Sequence, residues 1–316
     1  MPILFIHPRR GLYQTTRCQD CGFVFGCDHC DAKLTTYRAF EKNLQLVCHQ
    51  CQSFYNYPNS CNMCKGNKID SKYGGIDELS ELLTNEYQLE VTKIDSKSKI
   101  IYPTINEDLE NKKVYLTTRI FDPSIPYSNF SKIIFIHAEN LMASLDYLVG
   151  EETYRNLTEI FVQIGNETEV IFDTTAPHLE FFQDLIRVHS EHSENMQPRD
   201  WYEGFLESEK LTRDKFGFPP YQNLVLITTQ EKNKDKSGQL INSARKYLMS
   251  IQKEFPEIKI ATPYPARFLK RRGMYSFHLL VKYPRQYSKF FEFQKIIRYV
   301  KSQYRVQVRL NPRHLF

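Results

Sequence analysis

No stretch of this 316-residue sequence approaches the roughly 18 consecutive apolar residues that a membrane-crossing helix requires, which excludes a helical membrane protein. The opening residues Met1 to Gly11 hold one short apolar run, with no basic leader before it and no small-residue cleavage site after it. They read as a first strand, residues 3–7, of a cytoplasmic protein whose thiols stay reduced. No G-x-x-x-x-G-K-[ST] loop is present to cradle nucleotide phosphates. Internal repeats and low-complexity segments are also missing. No cysteine stands alone: all eight fall in C-x-x-C pairs between residues 18 and 64.

What is present can fill real cores, because 41% of the residues are hydrophobic and 14% aromatic, and the length suits two or three domains. The net charge of +5 hides an asymmetry. Residues 266–316 hold thirteen Lys and Arg against Glu292 alone, so positions 1–265 sum to −7 and the C-terminal end is the basic end.

From Gly74 onward the pattern alternates. Residues 77–87 read as an amphipathic helix, 89–94, 113–117 and 132–137 as strands, 151–164 as a helix, 170–172 as a strand and 177–192 as a helix. Such alternation predicts an open, mostly parallel α/β sheet. Residues 191–198 read as a polar linker and 201–215 as a helix stopped by Gly217-Phe218-Pro219-Pro220. Strands at 223–229, 259–262, 276–282 and 304–310, with helices at 237–254 and 287–302, then spell β-α-β-β-α-β, the ferredoxin-like order. The cysteine block itself is turn-rich and weakly periodic.

Two thiolates two residues apart on a tight turn can both reach one tetrahedral ion at about 2.3 Å, and two such knuckles complete a closed, structural four-sulfur site. Cys18/Cys21, Cys27/Cys30, Cys48/Cys51 and Cys61/Cys64 therefore predict two Zn²⁺ ions. A disulfide framework would need an oxidising compartment, and a redox motif would need one pair rather than four. Gly22, Gly26 and Gly66 suit the sharp turns. With eight sulfurs available, His29 and His49 are left as bystanders inside the knuckles. Spacing alone leaves open which pairs share an ion.

The run R-R-G, C-x-x-C-G, C-x-x-C-D, C-H-x-C, P-x-x-C-x-x-C and G-G-x-x-E-L resembles the primosomal protein N′ family of replication-restart helicases, PriA. So do Asp146-Tyr147-Leu148 through Tyr154, Thr174-Thr175-Ala176-Pro177-His178, Trp201-Tyr202 through Pro219-Pro220-Tyr221, and Thr262-Pro263-Tyr264-Pro265-Ala266-Arg267 with Arg271-Arg272-Gly273. The likeness covers essentially the whole chain and only the C-terminal half of the family's pattern. It implies that Cys18, Cys21, Cys61 and Cys64 share one zinc, and Cys27, Cys30, Cys48 and Cys51 the other. It also implies a multidomain α/β fold: a degenerate RecA-like helicase lobe over 1–17 and 65–195, a two-zinc cysteine module at 18–64 inserted in it, and a ferredoxin-like α+β DNA-binding domain over 196–316.

The chain departs from the family where catalysis would sit. It begins where the family's second helicase lobe begins, and Asp77-Glu78 lies on a helix rather than after a buried strand where a magnesium-binding pair would stand. Leu116 to Asp122 replaces the family's G-T-Q-M-x-x-K-G, and the arginine-bearing Q-V-A-G-R-A-G-R is missing between Leu157 and Val170. Losing such arginines costs about 10³–10⁵ in rate in other phosphoryl-transfer enzymes, so no ATP hydrolysis by this chain alone is expected.

Binding surface remains. Arg267, Lys270, Arg271 and Arg272 are read as a loop leading to Gly273, flanked by Tyr264, Phe268 and Tyr275. Cations that neutralise phosphates beside aromatic faces that stack on bases suit single-stranded or forked DNA. A solvated basic face is the plainer alternative for these residues, and for Arg9 and Arg10. His137 reads as a strand-end residue, and Tyr154, Phe161, Phe181 and Phe182 as core. The sequence thus predicts a non-catalytic, zinc-stabilised DNA-binding protein of replication restart or fork recognition. Two alternatives are the second-lobe subunit of a split helicase, with its ATPase lobe in a separate chain, and a zinc scaffold for replication-restart proteins.

Overall fold

The computed structural model describes residues 2–39, 43–94, 114–144, 146–164, 167–190 and 198–315. The linker expected at 191–198 lies, except for position 198, outside them. Among the described residues the strands form three five-stranded sheets.

The first sheet opens with β1 (Ile3–Ile6) and is then interrupted by the second sheet: β2 (Tyr13–Cys18), β3 (Thr35–Arg38), β4 (Leu44–Val47), β5 (Phe54–Asn56) and β6 (Ile69–Gly74). It resumes after α1 (Ile76–Asn85) with β7 (Val91–Ile94), β8 (Val114–Thr117), β9 (Lys132–Phe135), α2 (Val149–Gln163), β10 (Glu169–Phe172) and α3 (Glu180–Ser190). Its order is β10-β9-β1-β8-β7, with every pairing parallel. Parallel strands are covered on both faces and read as continuous apolar runs. Accordingly β8, Val-Tyr-Leu-Thr, is buried at all four positions. Leu4, Ile6, Tyr115, Ile133 and Phe135 meet Tyr154, Leu157 and Ile160 of α2 and Phe181, Phe182 and Leu185 of α3 on one face. Val114 and Leu116 meet Ile76 and Leu83 of α1 on the other. The side chains expected as core, Tyr154, Phe161, Phe181 and Phe182, are there, with Phe161 only partly buried.

The interrupting sheet is antiparallel, in the order β5-β4-β3-β2-β6, and runs from Tyr13 to Gly74, wider than the cysteines it carries. The sequence pattern hides these strands because threonines take buried positions: Thr15, Thr16, Thr35 and Thr36 are all buried, and the Thr16 hydroxyl bonds those of Thr36 (3.0 Å) and Ser71 (2.8 Å). Entry and exit meet at a neck, where the Gly75 N–H donates to Leu12 O (2.9 Å) and the Ile76 N–H to Arg9 O (2.8 Å). A Cβ on Gly75 would lie 2.2 Å from Gly11 O, and Gly11 itself has φ +73°, so both positions require glycine.

α4 (Pro198–Phe216) leads to the third sheet. Its Trp201 is buried in the core of the first sheet, with its ring 4.7 Å from that of Tyr154, and Arg213 pairs with Glu151 of α2 at 2.7 Å. Gly217, at φ +64°, ends the helix. The remaining elements are β11 (Gln222–Thr228), α5 (Lys234–Ser250), β12 (Lys259–Ile260), β13 (Tyr264–Arg271), β14 (Met274–Pro284), α6 (Phe290–Gln303) and β15 (Gln307–Leu310). The order is β12-β14-β11-β15, all antiparallel, with β13 also paired to β14. One face of this sheet packs on α5 and α6 through Val225, Ile227, Ile241, Leu248, Leu279, Val281, Phe293 and Ile297. The chain end returns to the first unit, where the Leu315 N–H donates to Asp146 Oδ1 at 2.7 Å and Arg313 pairs with Glu152 at 3.1 Å. Among the described residues no helix is long and apolar enough to cross a membrane.

Candidate metal centres and basic hairpin

Each C-x-x-C pair sits on a hydrogen-bonded turn. The Cys18, Cys48 and Cys61 amides donate to the carbonyls of Phe23, Ser53 and Gly66 at 2.8, 2.9 and 2.8 Å, and the Cys27 amide donates to Ala32 O at 3.0 Å. In three of the four turns the fourth residue after the first cysteine folds back on that cysteine's carbonyl: Gly22 on Cys18 (3.0 Å), Gln52 on Cys48 (2.8 Å) and Lys65 on Cys61 (3.0 Å). Those three residues have φ of +76°, +68° and +62°. Only Gly22 among them is a glycine, so Gln52 and Lys65 adopt a conformation that residue type did not signal.

The turns come together as two quartets, Cys18/Cys21/Cys61/Cys64 and Cys27/Cys30/Cys48/Cys51, with the sulfurs of each set within 4.8 Å of one another. Cys18 and Cys64 sulfurs are 3.6 Å apart, Cys21 and Cys61 3.6 Å, and Cys27 and Cys51 3.5 Å. A disulfide would bring two sulfurs to about 2.05 Å, and all eight thiols are free. A tetrahedral ion with four sulfurs at about 2.3 Å needs edges of about 3.8 Å. The donor set and its spacing therefore fit a metal ion in each quartet.

Proton affinities within the second quartet point the same way. Burial pushes the Cys48 thiol up to about 12. Cys51 falls to about 6 although burial opposes it, because the Ser53 hydroxyl (3.1 Å) and backbone and the thiols of Cys27 and Cys48 favour its thiolate. Four packed sulfurs cannot all ionise by themselves, and a bound cation is what allows it. The Tyr55 hydroxyl lies 3.2 Å from Cys27 Sγ, a polar contact at the edge of the site. His49 Nε2 faces the Tyr37 hydroxyl at 3.2 Å.

The basic residues expected in a loop at 267–272 belong instead to a β-hairpin. β13 carries Arg267, Lys270 and Arg271, and Arg272 (φ +52°) and Gly273 (φ +77°) form the two-residue turn into β14. Two left-handed central residues match the twist of paired strands. An Arg-Gly turn signals this less plainly than Asn-Gly would. Arg267, Arg271 and Arg272 are exposed, and none pairs with a carboxylate among the described residues. The Arg267 guanidinium lies 5.8 Å from the Phe268 ring centroid.

The other members of the expected DNA-contacting set are engaged within the protein. Lys270 Nζ donates to Asp28 O at 2.8 Å and stands 5.9 Å from the Tyr275 ring. Tyr275 is partly buried, its N–H held by Glu231 O at 2.7 Å. Tyr264 donates its hydroxyl to Leu315 O at 3.0 Å and lies against His278, and burial raises its proton affinity to about 12.

Another polar cluster at the carboxyl edge of the first sheet brings Arg9, His137 and Thr174, which the sequence offers singly, together with His7, Glu139 and Asn140, for which it gives no signal. His7 is buried and lowered to about 4 by burial, with its ring 5.6 Å from that of His137. Arg9 reaches Asn140 Oδ1 at 3.5 Å, and the Thr174 hydroxyl donates to Glu139 at 2.9 Å. Asp77, in the first turn of α1, is paired with Lys93 at 2.6 Å.

Comparison with known proteins follows this architecture. Residues 214–313 match the family model described as primosomal protein N C-terminal domain. The replication restart protein PriA of Synechocystis is 27% identical over 296 residues, 89% of this chain and 33% of that protein. Its counterpart in Haemophilus influenzae is 23% identical over 89% of this chain and 37% of that protein, and the one in Bacillus subtilis 22% over 95% and 36%. The chain spans about a third of the length of the curated relatives it matches. Residues 214–313 thus match a primosomal protein N C-terminal domain, and the chain is similar to about a third of each of these PriA replication restart proteins, an extent consistent with their C-terminal part.

Proposed function

We propose that this chain is a zinc-stabilised DNA-binding protein, non-catalytic by itself, that acts in replication restart or fork recognition on single-stranded or forked DNA. The observation that carries the reading is the hairpin, which presents Arg267, Arg271 and Arg272 exposed and without carboxylate partners inside the region that matches the primosomal family model. Cations in that state neutralise phosphates and release counterions. Zinc is the ion proposed for both quartets, because four thiolates in a closed tetrahedral set suit it and leave no position for a substrate. It would supply cross-links and no reaction.

The parallel first sheet supports a degenerate RecA-like lobe, and the order β12-β14-β11-β15 supports a ferredoxin-like C-terminal domain with β13 added. Fluorescence anisotropy with single-stranded, duplex and forked DNA across a salt series tests the function. An Arg267/Arg271/Arg272→Ala variant should bind more weakly and lose about 0.7 from the salt slope for each single-strand phosphate contact removed. Lys270 is left intact because it is bound to the cysteine module. Absence of binding by the wild type to any of the three substrates would sink this reading.

A second reading, a second-lobe subunit of a split helicase with the ATPase lobe in trans, is favoured by the polar cluster of His7, Arg9, Asn140 and Thr174. Ligands of open α/β sheets bind outside the carboxyl ends of the strands, where this cluster lies. ATP turnover that appears only on mixing with a separate ATPase lobe would support it.

A further inference from the structure

The Cys27 turn differs from the other three. Its fourth residue, Asp31, is not among the left-handed residues, and its N–H donates outside the turn, to Lys270 O of β13 at 2.7 Å. The hairpin answers with three more bonds: the Arg272 N–H to Cys30 Sγ (3.3 Å), the Gly273 N–H to His29 O (2.8 Å) and Lys270 Nζ to Asp28 O (2.8 Å). Cys30 and Arg272 are 242 positions apart in sequence.

We propose that the β13–β14 hairpin is the outer layer of the second metal centre, so that metal on Cys27, Cys30, Cys48 and Cys51 and docking of the C-terminal domain strengthen each other. The inference rests on the proposed zinc at that quartet and is independent of DNA binding.

The physical reasons are local. An amide aimed at a thiolate sulfur draws off negative charge and fixes the direction of its lone pairs, as outer partners of metal ligands do. The Asp31 amide has no closing bond within its own turn, so Lys270 O supplies what Gly22, Gln52 and Lys65 obtain from their own cysteines. Without metal the Cys27 turn loses its anchor, and the hairpin loses the surface that orients its backbone donors. Coupling of this kind is reciprocal, because whatever metal does for docking, docking does for metal. The first centre has no such partner among the described residues: its two turns both close on themselves.

Gly273→Val tests this cleanly. No heavy atom lies within 4 Å of where its Cβ would stand, and valine does not hold the backbone at φ +77°, so the substitution strikes first at the turn itself. The full chain loaded with zinc is challenged with a chelator, and the cysteines are alkylated as they are released and located by mass spectrometry. The variant should expose Cys27, Cys30, Cys48 and Cys51 about tenfold sooner, in line with the effect of losing outer-layer partners, and leave Cys18, Cys21, Cys61 and Cys64 at the wild-type rate. Lys270→Ala, which removes the side-chain bond to Asp28 O and the contact with the Tyr275 ring but leaves the three backbone bonds, should shift the same quartet by a smaller factor and guards against misfolding of the first variant.

In the converse measurement, amide exchange at 271–274 of the wild type should speed up when zinc is withdrawn. Equal release from both quartets in both variants, or hairpin exchange indifferent to zinc, overturns the inference. A wild-type chain that binds no zinc overturns it together with the zinc reading, whereas failure to bind DNA leaves it standing.

Discussion

The cysteine-bearing sheet and the C-terminal sheet each have five strands, yet different forces hold them. Beneath the first, Phe25, Leu34 and Leu46 are the buried side chains of the local cluster apart from cysteines. Beneath the second lie Val225, Ile227, Ile241, Leu248, Leu279, Val281, Phe293 and Ile297, among others, with two helices to cover them. Burial away from water is worth about 1.5–3 kcal/mol per large side chain, so the C-terminal sheet has a driving force of its own. The cysteine sheet has less of one, and its two cysteine quartets could hold metal ions that cross-link its turns. The comparison teaches that a layer with a large apolar core can hold by burial, whereas a similar layer with a small core has more need of cross-links.

Metal removal should break the comparison most widely. Chelation is expected to abolish amide-exchange protection across β2 to β6 while β11 and the stretch His278–Pro284 of β14 that pairs with it remain protected, since structural zinc contributes about 10–16 kcal/mol of apparent binding energy in small metal-dependent domains. Loss of protection in both sheets together would show that they unfold as one unit.

The reciprocal substitution is Leu279→Ala, at a position with no solvent exposure in the C-terminal core. It should cost about 2–5 kcal/mol in denaturant unfolding, with or without chelator. A cost that vanished without metal would contradict an independent C-terminal core.

The smallest effect comes from acid. His278 is buried and lowered to about 4, first by burial and then by the charge of Arg309, while its Nδ1 lies 2.9 Å from the Thr228 hydroxyl. The unfolded chain therefore takes up this proton near pH 6.5 and the folded chain only near pH 4. The stabilisation is present above pH 6.5 and fades as pH falls towards 4, by up to roughly 3 kcal/mol. Unfolding measured at pH 7.5 and 5.5 should show the drop in the C-terminal transition, and His278→Gln should flatten it. Acid also protonates thiolates, so the cysteine sheet should weaken over an acid range that the His278 variant does not move.

Much of this was legible in the sequence. The C-x-x-C spacings announced paired cysteine turns that could hold metal, and apolar runs such as Ile133–Ile136 announced parallel strands, because both signals are local. The helices and the other four strands of the third sheet were legible for the same reason, but β13, a fifth strand between β12 and β14 in sequence, was not. The strands of the cysteine sheet were not, since Thr16 and Thr36 occupy buried positions that a hydropathy pattern scores as polar. The hairpin was taken for a loop because Arg272 is an unusual first residue for a left-handed turn. Its contact with Cys30 joins segments at opposite ends of the chain, and no periodicity records such a meeting. His7 gave no signal either, because its importance comes from what the fold packs around it.

The neck at Gly11 and Gly75 bears on how such a chain is built up over evolutionary time. The whole cysteine sheet hangs from the connection between β1 and α1, and its two ends leave side by side through a few backbone hydrogen bonds. Grafting a head there, enlarging it or losing it has to satisfy the atoms at the neck, the Arg38–Glu81 pair and the contact with the β13–β14 hairpin, but not the registers of the parallel strands, which are set elsewhere. The first sheet can thus keep its inheritance while its head is exchanged, provided that two glycines remain where no side chain fits.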